Sequence, residues 1–225
     1  TTSPFGSRSV SSLGCAVHPG PAAMKFRDEP KGEVVLANEG EYMMKKTRTP
    51  GTPVKDTPKT VFSAEPVRKF GGKGHWFELR VDEFANGEIC FMGIGYTATD
   101  PETLLEDPLP GRGFQIPRSY LIGYKHSAYW EGERIPSEEP FKDVLPQTII
   151  TVGALATPQG CLELYINRRL VISVDPTDRG LPPISTDESL WAVVDFCGGL
   201  RKAAVLTSSL PPSDEEQAAA TEGEG

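Results

Sequence analysis

The residues best equipped for chemistry in this chain of 225 residues are three histidines and four cysteines, and none has an obvious companion. His18 lies in a head rich in Ser, Pro, Gly and Ala; His75 opens an alternating run; His126 sits in a loop beside tyrosines. A triad needs nucleophile, base and orienting group brought together, and no Gly-x-Ser-x-Gly elbow is present to fix a serine. Cys15, Cys90, Cys161 and Cys197 are far apart and form no Cys-x-x-Cys pair, so neither a metal site nor a dense disulfide framework is expected. Cys90 and Cys197 fall in strand patterns, where a thiol serves as a small hydrophobe. Glu102, Glu106 and Asp107 read as solvated charge on a polar turn, whereas sugar cleavage needs two carboxylates facing across a cleft. Asp82 and Glu83 end a strand and read as turn residues. The glycine-rich run 71–74 lacks phosphate-loop spacing and its trailing hydroxyl residue. The expectation is a protein that is not an enzyme and carries no cofactor and no metal.

What remains is surface suited to gripping another chain. The run 120–134 brings Tyr120, Tyr124, Tyr129 and Trp130 near Lys125, His126 and Arg134. Aromatic residues and Arg contribute most at interfaces because they bury much area with few rotatable bonds. The loop GRGFQIPRS (111–119) adds Arg112, Phe114 and Arg118 between prolines. Arg168 and Arg169, at a hairpin tip, either join this lip or are solvated turn residues. For Tyr120 and Trp130 the competing reading is that they fill a core. The expected partner-binding set is therefore Arg112, Phe114, Arg118, Tyr124, Tyr129, Trp130, Arg168 and Arg169.

These groups need elements to hold them, and the elements read as strands. In CLELYINRRLVISV (161–174), Leu162, Leu164 and Ile166 alternate with Glu163, Tyr165 and Asn167. Leu170, Ile172 and Val174 resume the same period after the break. Such alternation means strands with one buried and one wet face. Asn167 tolerates the left-handed backbone of a tight hairpin turn. Further strands are expected at 32–36, 41–46, 59–64, 75–82, 87–97, 119–130, 148–156, 190–197 and 201–207. The last two are joined by Gly198-Gly199, a hairpin-turn dipeptide. Gly93 and Gly95 suggest a bend or a side chain pressing on bare backbone. The best helical candidate, 100–107, is one or two turns, with Asp100 as cap and Pro101 at its first position. About eleven strands with Gly- and Pro-marked turns imply an antiparallel sandwich or barrel.

Composition sets the boundaries. A formal charge of −8 argues against a general nucleic-acid binder. It is uneven, since residues 211–225 hold Asp214, Glu215, Glu216, Glu222 and Glu224 and no Lys or Arg. No apolar run of 18 residues and no signal-peptide pattern occurs, so no membrane span is expected and a reducing, cytoplasmic compartment is the simplest fit. Residues 1–25 and 208–225 have no core-forming pattern and read as mobile tails around one domain, 26–207. The chain begins with Thr rather than Met, which leaves room for further sequence upstream.

Four pieces then come in one order: FELRVDE (77–83), MGIGYTATDPETL (92–104), LELYINRRL (162–170) and LWAVVDFCGGLRKAAVL (190–206). With GEVVLANEG (32–40) they resemble the Neuralized homology repeat, over roughly 26–207. The resemblance implies an SPRY-related, concanavalin-like all-β fold of two antiparallel sheets. It also implies a non-catalytic module that binds a protein or peptide through loops at one end of the sandwich, as adaptor or scaffold in a larger assembly. Ubiquitin-ligase substrate recognition and association with the cytoskeleton are the settings it suggests. The chain departs from the family pattern with Arg168 where Gly usually follows the Asn of the hairpin. The segment 108–147 is also long and Pro-rich, and no RING-type cysteine array follows. Two other classes fit the same fold: a structural subunit of a large complex, and a carbohydrate-binding or carbohydrate-cleaving protein.

Overall fold

The computed structural model of the chain describes residues 23–27, 33–46, 59–85, 92–104, 110–140, 148–213 and 216. Across them run fourteen strands: β1 (Val34–Ala37), β2 (Tyr42–Lys45), β3 (Thr60–Phe62), β4 (Lys69–Phe70), β5 (Gly74–Phe84), β6 (Gly93–Thr97) and β7 (Ser119–Tyr124) come first. Then follow β8 (Ser127–Trp130), β9 (Glu133–Pro136), β10 (Thr151–Ala156), β11 (Leu162–Ile166), β12 (Arg169–Val174), β13 (Trp191–Asp195) and β14 (Leu200–Val205). The strands form two antiparallel sheets. One is ordered β1-β2-β14-β5-β10-β11-β12, with β4 also on β5; the other is β3-β13-β6-β7-β8-β9. The fold is an antiparallel β-sandwich.

Period-two patterning decides which faces meet. On β5, Phe77 and Leu79 enter the core while Trp76, Glu78 and Arg80 point outward, the alternation expected from 75–82. Val152, Ala154, Leu162, Leu164 and Ile166 do the same on β10 and β11, opposite Ile94, Tyr96, Ile122, Ala192 and Val194 of the other sheet. Each buried Val, Leu or Ile among them contributes about 1.5–3 kcal/mol, which is what holds the two layers together. The Tyr96 hydroxyl, fully inside, lies 2.6 Å from the His75 carbonyl and 2.7 Å from that of Ala154. It ties the sheets without leaving a polar atom orphaned, and burial pushes its pKa up.

Turn chemistry follows the sequence in places and departs from it in others. Asn167 and Arg168 both take positive φ, 49° and 67°, as a two-residue hairpin turn requires. The Asn167 side chain holds the neighbouring strand: its Oδ1 accepts from the amides of Ile150 and Thr151, and its Nδ2 donates to the Thr148 carbonyl. The expected regular period after the turn fails, because the β11–β12 register shifts at Leu164/Tyr165. That bulge turns Leu170 outward on an edge strand, 44% exposed. Gly198-Gly199 is not a hairpin turn. β13 lies in one sheet and β14 in the other, so the pair carries the chain across the sandwich edge. Gly199 sits there because a Cβ would fall 2.3 Å from the Phe84 ring.

The expected strand 119–130 is a hairpin, β7 and β8, and β9 extends it through a Glu131-Gly132 turn at φ 50° and 87°. The helical candidate is a 3-10 turn, Pro101–Leu104, with the Glu102 amide donating to Asp100 Oδ1. The described residues near both chain ends contact the sandwich. Phe26 is buried and bridges to Ser63, Met24 packs on the core, and residues 206–213 with Glu216 lie along the outer face of the larger sheet. Residues 1–22, 47–58 and 217–225, including most of both proposed tails and the Thr/Pro-rich loop, lie outside the described residues.

Candidate functional site

The outer face of the smaller sheet carries a second apolar cluster, roofed by the loop before β7. Phe62, Leu121 and Val193 supply its floor, with Ile116 and Phe114 from a 3-10 turn (Gly113–Gln115) and its flank above. Strand parity alone would point Tyr124 inward beside Ile122. Gly123, at φ 97°, breaks the β7–β8 register between Leu121 and Tyr124, and the Tyr124 ring joins the outer cluster. It covers Gly93, where a Cβ would come within 2.5 Å of the tyrosine ring and hydroxyl. The bare backbone expected at Gly93 is thus covered by the chain's own tyrosine.

Beneath the roof, Asp195 is completely buried. Its Oδ2 accepts from the Gly113 amide at 2.9 Å and from the Tyr124 hydroxyl at 2.8 Å. Among the described residues, its Oδ1 has no hydrogen-bond partner. Burial holds the carboxyl above the usual carboxylate range, although the Gly113 amide, Tyr124 and the charges of Arg112 and Lys59 pull the other way. Asp195 is the post to which the loop is tied.

On this support stand half-buried aromatic rings and arginines. Phe114 and Tyr129 stack at 4.1 Å and 12°, each edge-on to Tyr124 at 5.8 and 5.1 Å. Arg112 is half-buried at the loop's start, and Arg134, cross-strand from Tyr129, hydrogen-bonds Ser127 Oγ at 2.6 Å. Arg118, at φ 50°, is exposed and pairs with Glu188 at 2.5 Å.

The structure sorts the expected residues into three groups. Arg112, Phe114 and Tyr129 come together at the surface with Tyr124 as their buried support, and Arg118 flanks the same loop. Trp130 is a correction: it is 1% exposed inside the sandwich, where its Nε1 donates to the Pro182 carbonyl and its ring meets Tyr120 edge-on. A residue there touches no partner. Arg168 and Arg169 stand apart, on the larger sheet at the opposite side of the sandwich. Arg168 is not merely solvated, since it pairs with the buried Glu78 at 3.1 Å and with Glu216 at 3.0 Å. The role of Asp195 was missed. Its signal in sequence is a lone acid at an outward strand position between valine and phenylalanine.

His126 lies 3.7 Å from Glu139, and the ring nitrogens of His75 face the carbonyls of Val67 and Thr186. Among the described residues, no group of three or more His, Cys, Asp or Glu side chains is placed to hold a metal ion, and no helix is long and apolar enough to cross a membrane.

Two stacked antiparallel sheets with a loop roof define an antiparallel β-sandwich domain. The family profile named Neuralized matches residues 31–207, and the chain belongs to that family. Its fold is similar to the crystal structure of the Neuralized NHR1 domain of Drosophila melanogaster: TM-score 0.55, 18% identity, covering 83% of this chain and 99% of that one. It is also similar to the solution structure of the NHR domain in Neuralized from Drosophila melanogaster, with TM-score 0.50, 17% identity, and coverage of 85% and 95%. A third likeness is to the PSpry domain of TRIM65, at TM-score 0.47 and 15% identity, covering 82% and 92%. No curated protein sequence matches the chain. The Neuralized family is a family of protein-interaction domains.

Proposed function

We propose that this domain binds a protein or peptide partner without chemistry, through the roof on the smaller sheet's outer face. Phe114 and Tyr129 are the anchors, Arg112 and Arg118 orient an acidic or carbonyl-rich segment, and Tyr124 and Asp195 hold the platform rigid. The stacked Phe114–Tyr129 pair carries the reading: two large half-exposed rings, locked against each other, offer contact area with little rotamer entropy left to lose. Loops on a rigid sandwich are the usual carriers of recognition. We extend the proposal to an intracellular adaptor or scaffold role, ubiquitin-ligase substrate recognition included. Membership of an interaction-domain family supports it.

The test is capture by the purified chain and by a Phe114→Ala/Tyr129→Ala variant, followed by identification of what is retained. A partner held by the first and lost by the second supports the reading. Equal retention by both sinks it. Turnover of the bound molecule would remove the claim that no chemistry is done.

A further inference from the structure

The outer face of the larger sheet holds a buried acid that the roof does not use. Glu78, mid-strand on β5, has a side chain only 3% exposed. Beside it, the Trp76 ring presses on Gly153, where a Cβ would lie 2.2 Å away, and meets Tyr165 edge-on at 5.3 Å. The chain after β14 folds back over this patch. Ser209 Oγ accepts from Trp76 Nε1 at 3.0 Å and donates to Glu78 Oε2. Arg168 binds the same carboxylate oxygen, then the Leu210 carbonyl at 3.2 Å, then both oxygens of Glu216. Ser213 and Glu216 bond reciprocally, each backbone amide to the other's side chain.

The segment fits the patch incompletely. Glu78 Oε1 is buried with no hydrogen-bond partner among the described residues. Leu210 is 62% exposed at the lip of a cleft of about 430 Å³ lined by Met24, Val67, Phe70 and Trp76, and does not fill it. Arg168 also holds a left-handed backbone, which crowds any residue that carries a Cβ. That conformation brings its guanidinium to Glu78 and to the covering segment.

We propose that the patch around Trp76, Glu78 and Arg168 is a second docking surface, masked by this chain's own residues 206–213 and Glu216. Its partner is an extended peptide that copies the mask and improves on it. Such a peptide has a small hydroxyl residue for Trp76 and Glu78, a large apolar side chain beside it for the cleft, and a carboxylate downstream for Arg168. A ligand that fills the cleft and brings one more donor to Glu78 displaces the mask, because an unmet buried oxygen and an empty apolar cleft both raise the energy of the masked state.

The test uses the full chain and a fluorescein-labelled peptide of residues 206–218, read by anisotropy. Ser209→Asp sets a carboxylate against Glu78 and ejects the mask, and Glu216→Lys, at an exposed site, repels Arg168. Each variant should bind the peptide at least about tenfold more tightly than the unaltered chain, with melting within a few degrees. Peptide that itself carries Ser209→Asp should bind none of them. Equal affinity for all three chains, or no binding to any, overturns the proposal; if Ser209→Asp fails to fold, Glu216→Lys decides it alone.

Discussion

Phe114 and Tyr129 stack ring on ring, 12° from parallel, although one lies on a loop and the other on the second strand of a hairpin. The contact exists because two other features aim them. Gly123 turns Tyr124 outward to meet both edges, and Asp195 ties down the loop through Gly113. Removing the rings should therefore disable recognition without unfolding the sandwich. Phe114→Ala/Tyr129→Ala is expected to weaken partner binding by at least about 2 kcal/mol, roughly thirtyfold. Its melting temperature should stay within a few degrees of the parent, read calorimetrically on the same samples.

Tyr124 should behave otherwise. Its hydroxyl serves Asp195 and its ring covers Gly93, so Tyr124→Ala is expected to lower stability and binding together. Tyr124→Phe removes only the hydrogen bond to a buried carboxylate and should cost about 1.5–3 kcal/mol by denaturant titration.

Trp130 provides the contrast within one dipeptide. As a core residue, Trp130→Ala should destabilise the fold by about 3–5 kcal/mol. Any loss of binding should track the unfolded fraction and vanish under conditions where the variant remains folded.

Asp195 sets a pH dependence whose sign is fixed by burial. Its folded-state pKa is raised, so the folded protein holds this proton to higher pH than the unfolded chain does. That contribution is present at low pH and is lost as pH rises from the ordinary carboxylate range through the raised value. Asp195→Asn keeps an oxygen for Gly113 and Tyr124 but cannot ionise. Relative to this variant, the parent should melt progressively lower as pH is raised from 4 toward 7, and parallel curves would refute the assignment.

Glu216 predicts the opposite slope for the masking segment. Arg168 and the Ser213 amide push its carboxyl down to about 2. Docking is therefore favoured above the ordinary Glu range and weakens as pH falls toward 2. Hydrogen-exchange protection at Ser213 and Glu216 should decline between pH 6 and pH 3 in the parent and not in Glu216→Gln.

The sandwich itself was legible wherever one face of a strand is buried and the other wet. Residues 75–82 and 162–166 announce their faces by alternation, and Asn167 announces its turn. Legibility failed where a single residue breaks the period. Gly123 reverses Tyr124, and the β11–β12 bulge exposes Leu170, and neither leaves a trace in hydrophobic spacing. Gly198-Gly199 carries the composition of a hairpin, yet the strands it joins pair with different neighbours, which is a long-range fact. The site was half legible for a related reason. Tyr129 and Trp130 are equally aromatic neighbours, and only the register of β8 sends one outward and one inward. Arg168 could not be read as a clamp because Glu78 and Glu216 are brought to it from 90 and 48 residues away.

The central claim is that the roof formed by Phe114, Tyr129 and their arginine neighbours is where a partner chain is held. Selecting binders from a displayed random peptide library on the purified domain, then mapping them by amide chemical-shift changes, tests it most directly. The account predicts peptides that shift Phe114, Tyr129 and the 110–118 loop and lose affinity about thirtyfold on the double alanine variant. Peptides that leave those amides unmoved, and bind the variant as tightly as the parent, would contradict it.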